Sequence, residues 1–227
     1  MKKGKGVFVV LDGIDGSGKA TQTALLLERL QEAGYKTGTI DFPQYYDNFF
    51  GKLTGEYLTG KLGDVHPKLA SILYALDRWE SKGEIEKDLK DGKVFVCNRY
   101  MSANMIHQGG RVPEAKKRKE MMEFLNKMEF EVFGIPRPDV VLYLDVLPEV
   151  GRKLVGKKDS RAYTKGKKRD IHESDKQHLI NARNQALRLV KENDDWKKID
   201  CMKGKKILSP EEVSELIWQE VKVVLKK

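Results

Sequence analysis

The chain has 227 residues, 40% hydrophobic and 34% charged, a globular mixture that excludes a disordered tract, a collagen-like repeat and a disulfide-stapled mini-protein. Its 43 Lys and Arg against 34 Asp and Glu give a net charge of +9, and no apolar run reaches the ~18 residues of a membrane helix. Two cysteines, Cys97 and Cys201, make neither a disulfide framework nor a four-thiolate zinc site, and read as free thiols of a cytoplasmic protein.

The basic N-terminus runs into Val7–Leu11, too short for a signal peptide and read as the first buried strand. Thr21–Ala33 predicts a helix with Leu26, Leu30 and Ala33 on one face and Gly34 at its C-terminal stop. Thr37–Ile40, Val94–Cys97, Val140–Leu144 and Trp196–Ile199 are further short runs rich in β-branched residues. Their continuous apolar character predicts strands covered on both faces. Helical patterns occupy Pro67–Trp79, Lys82–Lys90, Glu114–Phe133 and His172–Glu192. Within the third, Met121, Leu125, Met128 and Val132 form a stripe that faces a core or, alternatively, a dimer partner. The last helix opens with Ser209 as N-cap, Pro210 at the first position and Glu212 completing a capping box. Strand–helix alternation without repeats or linkers predicts one α/β domain over residues 1–227 with a mainly parallel sheet.

The excess charge is local. Residues 151–169 hold nine basic residues and one acidic, a net +8, which leaves 34 basic against 33 acidic elsewhere. A nucleic-acid binder presents a broad basic face. This segment reads instead as a solvated loop or as a clamp for a small, highly charged anion.

The first strand leads directly into Gly13-Ile14-Asp15-Gly16-Ser17-Gly18-Lys19-Ala20-Thr21, and a helix follows. This is a phosphate loop over residues 13–21 in its strand–loop–helix setting. Glycines bring backbone N–H groups close to phosphate oxygens, the helix N-terminus faces the same anion, and Lys19 reaches the outer phosphates. Ala20 stands where a hydroxyl commonly ligates Mg²⁺, so the metal must be held otherwise. The loop alone fits a kinase, a GTPase or a motor ATPase.

Three further segments narrow the reading. Asp41-Phe42-Pro43-Gln44-Tyr45 follows the second strand, LYALDR (73–78) lies on a helix, and Asn98-Arg99-Tyr100 with Ser102, Asn104 and Gln108 follows the third strand, in what reads as a sheet-end loop. Together with GIDGSGKATQ (13–22), RPDVVLYLDVLPEVG (137–151) and RAYTKGKKRDIHE (161–173), the chain resembles the thymidylate kinase family of P-loop nucleoside monophosphate kinases.

The resemblance implies a three-layer P-loop NTPase-type fold, with a five-stranded parallel sheet, a mobile basic lid at about 156–171 and a homodimer. It implies ATP-dependent phosphorylation of dTMP, with Mg²⁺, and neither nucleic acid nor membrane as partner. By position, Tyr74 would stack on thymine, Arg78 would donate to its O4, and Asn104 and Gln108 would face the nucleoside. Arg99 would hold the dTMP phosphate, Asp15 the sugar 3′-OH, and Phe42 and Pro43 would wall the pocket. Gly16 stands where some members carry a catalytic arginine, so the lid cations Arg161, Lys165 and Arg169 would act with Lys19 and Arg99. The chain departs from the family pattern at Ala20, at Asn98 in place of an acid, at Ile106 and His107 in place of a small residue and a tyrosine, and in lacking an arginine near Gln44.

The side-chain chemistry agrees. Arginine only donates, and so suits a carbonyl and opposes an amino group. An aromatic face stacks on a base. His172, Glu173 and His178 lack zinc-binding spacing, and His172 and Glu173 read as the hinge end of the lid. A kinase for another nucleoside or nucleoside monophosphate, and a nucleotide switch with weak turnover, are the competing readings.

Overall fold

The computed structural model describes residues 6–155 and 176–226. Five parallel strands form one sheet in the order β2-β3-β1-β4-β5, with β1 Val7–Asp12, β2 Thr37–Asp41, β3 Val94–Asn98, β4 Val140–Asp145 and β5 Trp196–Asp200. Each begins where the apolar run begins and continues one residue past its end. The added residues, Asp12, Asp41, Asn98, Asp145 and Asp200, are all polar. The apolar runs therefore locate the sheet, and the next residue of each places a polar side chain at its carboxyl edge.

Covering both faces makes three layers. On one face Phe8, Val10, Phe95 and Tyr143 pack against α3 (Pro67–Glu80), α5 (Met101–Gly110), α6 (Ala115–Asn126) and α8 (Lys176–Glu192). On the other, Val9, Leu11, Val96 and Leu142 meet Leu26 and Leu30 of α1 (Lys19–Glu32) and Val213, Ile217 and Val221 of α9 (Pro210–Leu225). The capping box at Ser209 forms as expected, with Glu212 N–H donating to Ser209 Oγ at 3.2 Å and Ser209 N–H to Glu212 Oε2 at 2.7 Å.

Four features lie outside the apolar periodicities: α2 (Phe49–Leu58), α5, α7 (Pro148–Val155) and a hairpin of β6 (Met202–Lys203) with β7 (Lys206–Ile207). The expected loop after β3 is a helix for most of its length, and Asn104 and Gln108 are presented from α5. Its segment MSANMIHQGG mixes polar and apolar residues because the polar ones are buried too. The remaining helix, α4, is Lys82–Lys90 as expected.

The expected single helix over 114–133 also needs correction. After α6 the chain makes a π-helical turn, Lys127–Val132, in which Phe133 N–H donates to Met128 C=O at 2.9 Å. The wider turn rotates the following residues. Met121, Leu125 and Met128 are core, as one of the two readings had it, but Val132 is 68% exposed and Glu129 is fully buried. The lid segment 156–171 and His172 and Glu173 lie outside the described residues. Among the described residues no helix is long and apolar enough to cross a membrane.

Candidate active site

A cavity of about 370 Å³ opens over the carboxyl ends of β1, β2 and β3. In this strand order the connections leaving β1 and β3 run to opposite sides, which is where open parallel sheets form a ligand crevice. Of the expected site residues, Asp15, Gly16, Gly18, Lys19 and Ala20 line one end; Phe42, Pro43 and Arg99 line the middle; Tyr74, Arg78, Asn104 and Gln108 line the other end. Gly13, Ile14, Ser17 and Thr21 complete the phosphate loop without lining the cavity; Ile14 is packed in the core and Thr21 is exposed. The expected lid cations Arg161, Lys165 and Arg169 lie outside the described residues.

The loop needs glycine at two points for different reasons. Gly18 is the N-cap of α1 with φ 90°, a left-handed conformation that costs an L residue about 1 kcal/mol or more. Gly16 has φ 80°, and a Cβ there would stand 2.2 Å from the Gly151 carbonyl oxygen of α7. Lys19 folds back over the loop, its Nζ donating to the Gly13 and Ile14 carbonyls at 2.9 and 3.0 Å. Burial, and secondarily the Arg99 charge, brings its pKa from the usual 10.5 down to about 7.

Arg99 lies just past the end of β3 with φ 63°, the only non-glycine residue with positive φ among the described residues. Such backbone strain concentrates at functional sites. Its backbone is held by Arg99 N–H donating to Leu11 C=O at 2.9 Å and Cys97 Sγ to Arg99 C=O at 2.9 Å. The side chain then crosses from β3 to the phosphate loop and pairs with Asp15, while Nη1 donates to His107 Nε2 at 3.0 Å. Burial acts against the guanidinium charge, but Asp15 and then Asp12 outweigh it, and Arg99 titrates above the usual arginine range.

At the far end, Arg78 is paired with Glu129, Nε to Oε2 at 2.6 Å and Nη2 to Oε1 at 2.7 Å. Both side chains are essentially buried, at 2% and 0% exposure. Burial lowers the guanidinium's pKa, yet the Glu129 charge and hydrogen bonds outweigh it and the net shift is upward. Asn104 donates from Nδ2 to Glu129 Oε1 at 2.8 Å and to the Ser71 carbonyl at 3.0 Å. Tyr74 lines the cavity edge-on to Tyr57, with ring centroids 6.2 Å apart. Phe42 and Pro43, joined by a cis peptide, form a wall, and Phe42 packs on Tyr100.

Sequence reasoning singled out the segment holding Asp41 and Tyr45 without giving either a role, and missed Tyr46, Leu58 and Ala103 on the cavity wall and Glu129 behind it. Glu129 had a signal: it lies four residues after Leu125 on the apolar stripe, where an unpaired carboxylate is unfavourable.

The fit to magnesium is narrow. Ala20 offers only a methyl group, and the Asp12 carboxylate already accepts from Gly13 N–H at 2.8 Å and Ser102 Oγ–H at 2.6 Å. Asn98 Oδ1 is buried without a hydrogen-bond partner, and Asp15 and Asp41 are the carboxylates that line the cavity. Among the described residues no three His, Cys, Asp or Glu side chains stand together as a metal centre. Mg²⁺ fits this site as an ion carried on nucleotide phosphates, since it keeps several waters and needs few protein oxygens.

The thymidylate kinase family profile matches residues 11–211, so this chain belongs to the thymidylate kinase family. It is 30% identical over 142 residues to the human thymidylate kinase, covering 63% of this chain and 62% of that protein. It is 30% identical over 159 residues to the Arabidopsis thaliana thymidylate kinase, covering 70% and 56%. A probable thymidylate kinase of Pyrococcus abyssi is 36% identical over 147 residues, covering 63% and 66%. The chain thus spans about three fifths of the length of the curated relatives it matches. The solved structure of thymidylate kinase from Candida albicans superposes with a TM-score of 0.73 over 96% of this chain and 92% of that one, at 21% identity, and shares the fold.

Proposed function

We propose that this member of the thymidylate kinase family transfers the γ-phosphoryl group of ATP to dTMP, giving dTDP and ADP. The observation that carries this reading is one cavity with a phosphate loop at one end and a buried, hydrogen-bonded Arg78–Glu129–Asn104 cluster at the other. A phosphate loop serves any nucleotide, whereas a paired arginine at the far end suits an acceptor with a ring carbonyl.

In this reading Tyr74 stacks on thymine, Arg78 donates to O4, and Phe42 and Pro43 confine the ring. Asp15 holds the sugar 3′-OH, and Gln108 and Asn104 face the nucleoside. Arg99, aimed across the cavity, grips the acceptor phosphate. Lys19 leaves the Gly13 and Ile14 carbonyls to neutralise the outer phosphates of ATP. An acceptor phosphate oxygen then attacks the γ-phosphorus in line, the bond to the β-phosphate oxygen breaks, and ADP departs. Alignment and charge neutralisation are the protein's main contributions. Asp15 and Asp41, the carboxylates that line the cavity, would hold Mg²⁺ through its waters, and the ion carried on ATP would supply part of that neutralisation. The sequence assigns the remaining charge to Arg161, Lys165 and Arg169.

The proposed protein is cytoplasmic, consistent with two buried free thiols, and a homodimer. Leu69 and Trp79 on α3 and Val132 beyond α6, 59%, 47% and 68% exposed, are apolar side chains that a partner would cover. A coupled ADP-release assay over dTMP, dUMP, dCMP, dAMP and dGMP tests the reaction. Turnover with dTMP far above dCMP is expected; equal rates with both, or ATP hydrolysis indifferent to any monophosphate, would exclude it.

A further inference from the structure

Glu129 is fully buried and does not line the cavity, yet it accepts three hydrogen bonds from Arg78 and Asn104, which do. A buried carboxylate is tolerated when it is paired and its lone pairs are used, and both conditions hold. The π-helical turn at Lys127–Val132 carries it inward, and such turns recur at functional sites.

Its partners are left with a defined pattern. Arg78, which lines the cavity, meets the carboxylate through Nε and Nη2, so Nη1 is not used in the pair with Glu129. Asn104 directs Nδ2 at two oxygens, Glu129 Oε1 and the Ser71 carbonyl. The reversed amide would set Oδ1 against both acceptors, so only this orientation is compatible with a charged Glu129. Oδ1 is thereby kept as an acceptor.

We infer that Glu129 is a positioning residue for base selection, holding a donor at Arg78 beside an acceptor at Asn104. That order complements the adjacent C4 carbonyl and N3–H of a 4-oxo pyrimidine. Cytosine presents an amino group to Arg78 and a lone pair to Asn104, and is mismatched at both positions. The inference rests on the proposed reading of the cavity as a pyrimidine site.

The test compares kcat/KM for dTMP and dCMP, with KM for ATP as control, in the full chain and in Glu129→Gln. The glutamine replaces one acceptor oxygen with a donor amide and frees Asn104 to reverse. The wild type is expected to prefer dTMP by at least about 100-fold, the scale set by unpaired buried polar groups. In E129Q the ratio falls at least about tenfold while KM for ATP stays within about twofold, the split expected when only acceptor reading is lost. Glu129→Asp, which keeps the charge but shortens its reach, is measured in parallel and falls between the two. A thermal melt certifies each variant as folded.

A wild type without preference for dTMP removes the reading of the cavity and this inference together. A wild-type preference retained within about threefold in a folded E129Q overturns this inference alone, because coupled neighbours show larger interaction effects. Should neither variant fold, N3-methyl-dTMP decides the matter on the wild type. A fixed acceptor predicts binding at least about 30-fold weaker than dTMP, the cost of an unpaired buried polar group, and equal binding overturns it.

Discussion

The imidazole rings of His107 on α5 and His178 on α8 lie nearly coplanar, at 16°, with centroids 5.4 Å apart and His107 Nδ1 3.2 Å from His178 Nε2. At that spacing the rings meet edge to edge, as hydrogen-bonded imidazoles do. The protons can be assigned. Arg99 is a donor only, so His107 Nε2 accepts from it. The His107 proton then resides on Nδ1 and is given to His178 Nε2. The chain Asp15–Arg99–His107–His178 therefore runs from the phosphate loop to the first turn of α8 and requires a neutral His107.

Protonating His107 at Nε2 would set a second cation and a second donor against Arg99. A neutral His107 accepts from Arg99 and a protonated one cannot, so acid breaks this contact. We expect kcat/KM for dTMP to fall on the acid side more steeply in the wild type than in His107→Gln, whose amide oxygen accepts from Arg99 without titrating. The difference between the profiles is the readout, because the acceptor phosphate itself titrates near pH 6 in both. Superimposable acid limbs would mean that His107 does not govern Arg99.

Arg99→Ala is expected to lower kcat/KM for dTMP by at least about 100-fold, the scale of losing a charged, hydrogen-bonded partner. ATP affinity should change little. The substitution leaves the backbone left-handed at a residue that still carries a Cβ and takes the cation away from Asp15, so no gain in thermal stability accompanies the loss of activity. Near-normal dTMP kinetics would make Arg99 a structural brace only.

Much of this fold was legible because parallel strands covered on both faces are continuous apolar runs, as β1, β3 and β4 are; the edge strands β2 (TGTID) and β5 (WKKID) are mixed in sequence and only partly buried. The phosphate loop was legible because its glycine spacing is local. Helix α5 was not: Asn104 and Gln108 are buried polar side chains, so it carries no clean amphipathic stripe. The π-helical turn was not, because a pattern of period 3.6 extends smoothly across residues 127–132 and does not announce the extra residue. Arg78 was identified as a site residue, but its partner Glu129, 51 positions away, is a tertiary fact. His107 was visible only as a departure from a family pattern, and its meaning comes from His178, 71 residues further on.

The phosphate loop and α7 are in backbone contact. A Cβ on Gly16 would stand 2.2 Å from the Gly151 oxygen, and one on Gly151 would stand 2.6 Å from the Asp15 oxygen. Gly16→Ala combines this clash with an unfavourable φ and is expected to weaken ATP binding by at least about tenfold and to lower the melting temperature by several degrees. Gly16→Arg, which restores the arginine some family members carry there, should be no better, since the backbone cannot accept any side chain. ATP affinity and turnover in G16R at or above wild-type values would show that the loop relaxes at no cost.

The last prediction concerns Lys19. In the ligand-free loop its pKa is lowered to about 7 by burial, with Arg99 adding to the effect and Asp15 opposing it. Polyphosphate oxygens beside Nζ favour the charged form, so binding ATP raises the pKa. The sign follows from linkage. Below about pH 7 Lys19 is already protonated and adds no pH dependence of its own to ATP affinity. Above it the free protein has lost the proton that the complex holds, so binding takes one up and affinity falls, approaching about tenfold per pH unit. At pH 8, where ATP is itself fully ionised, we expect uptake of about 0.9 proton per ATP bound, from a site titrating near 7. Isothermal titration in buffers of different ionisation enthalpy measures this number directly. Lys19→Arg, whose guanidinium stays charged at every accessible pH, should abolish the uptake even if it binds ATP less well. A binding enthalpy independent of buffer at pH 8, or an ATP affinity unchanged between pH 6 and 9, would show that Lys19 is charged in the empty loop.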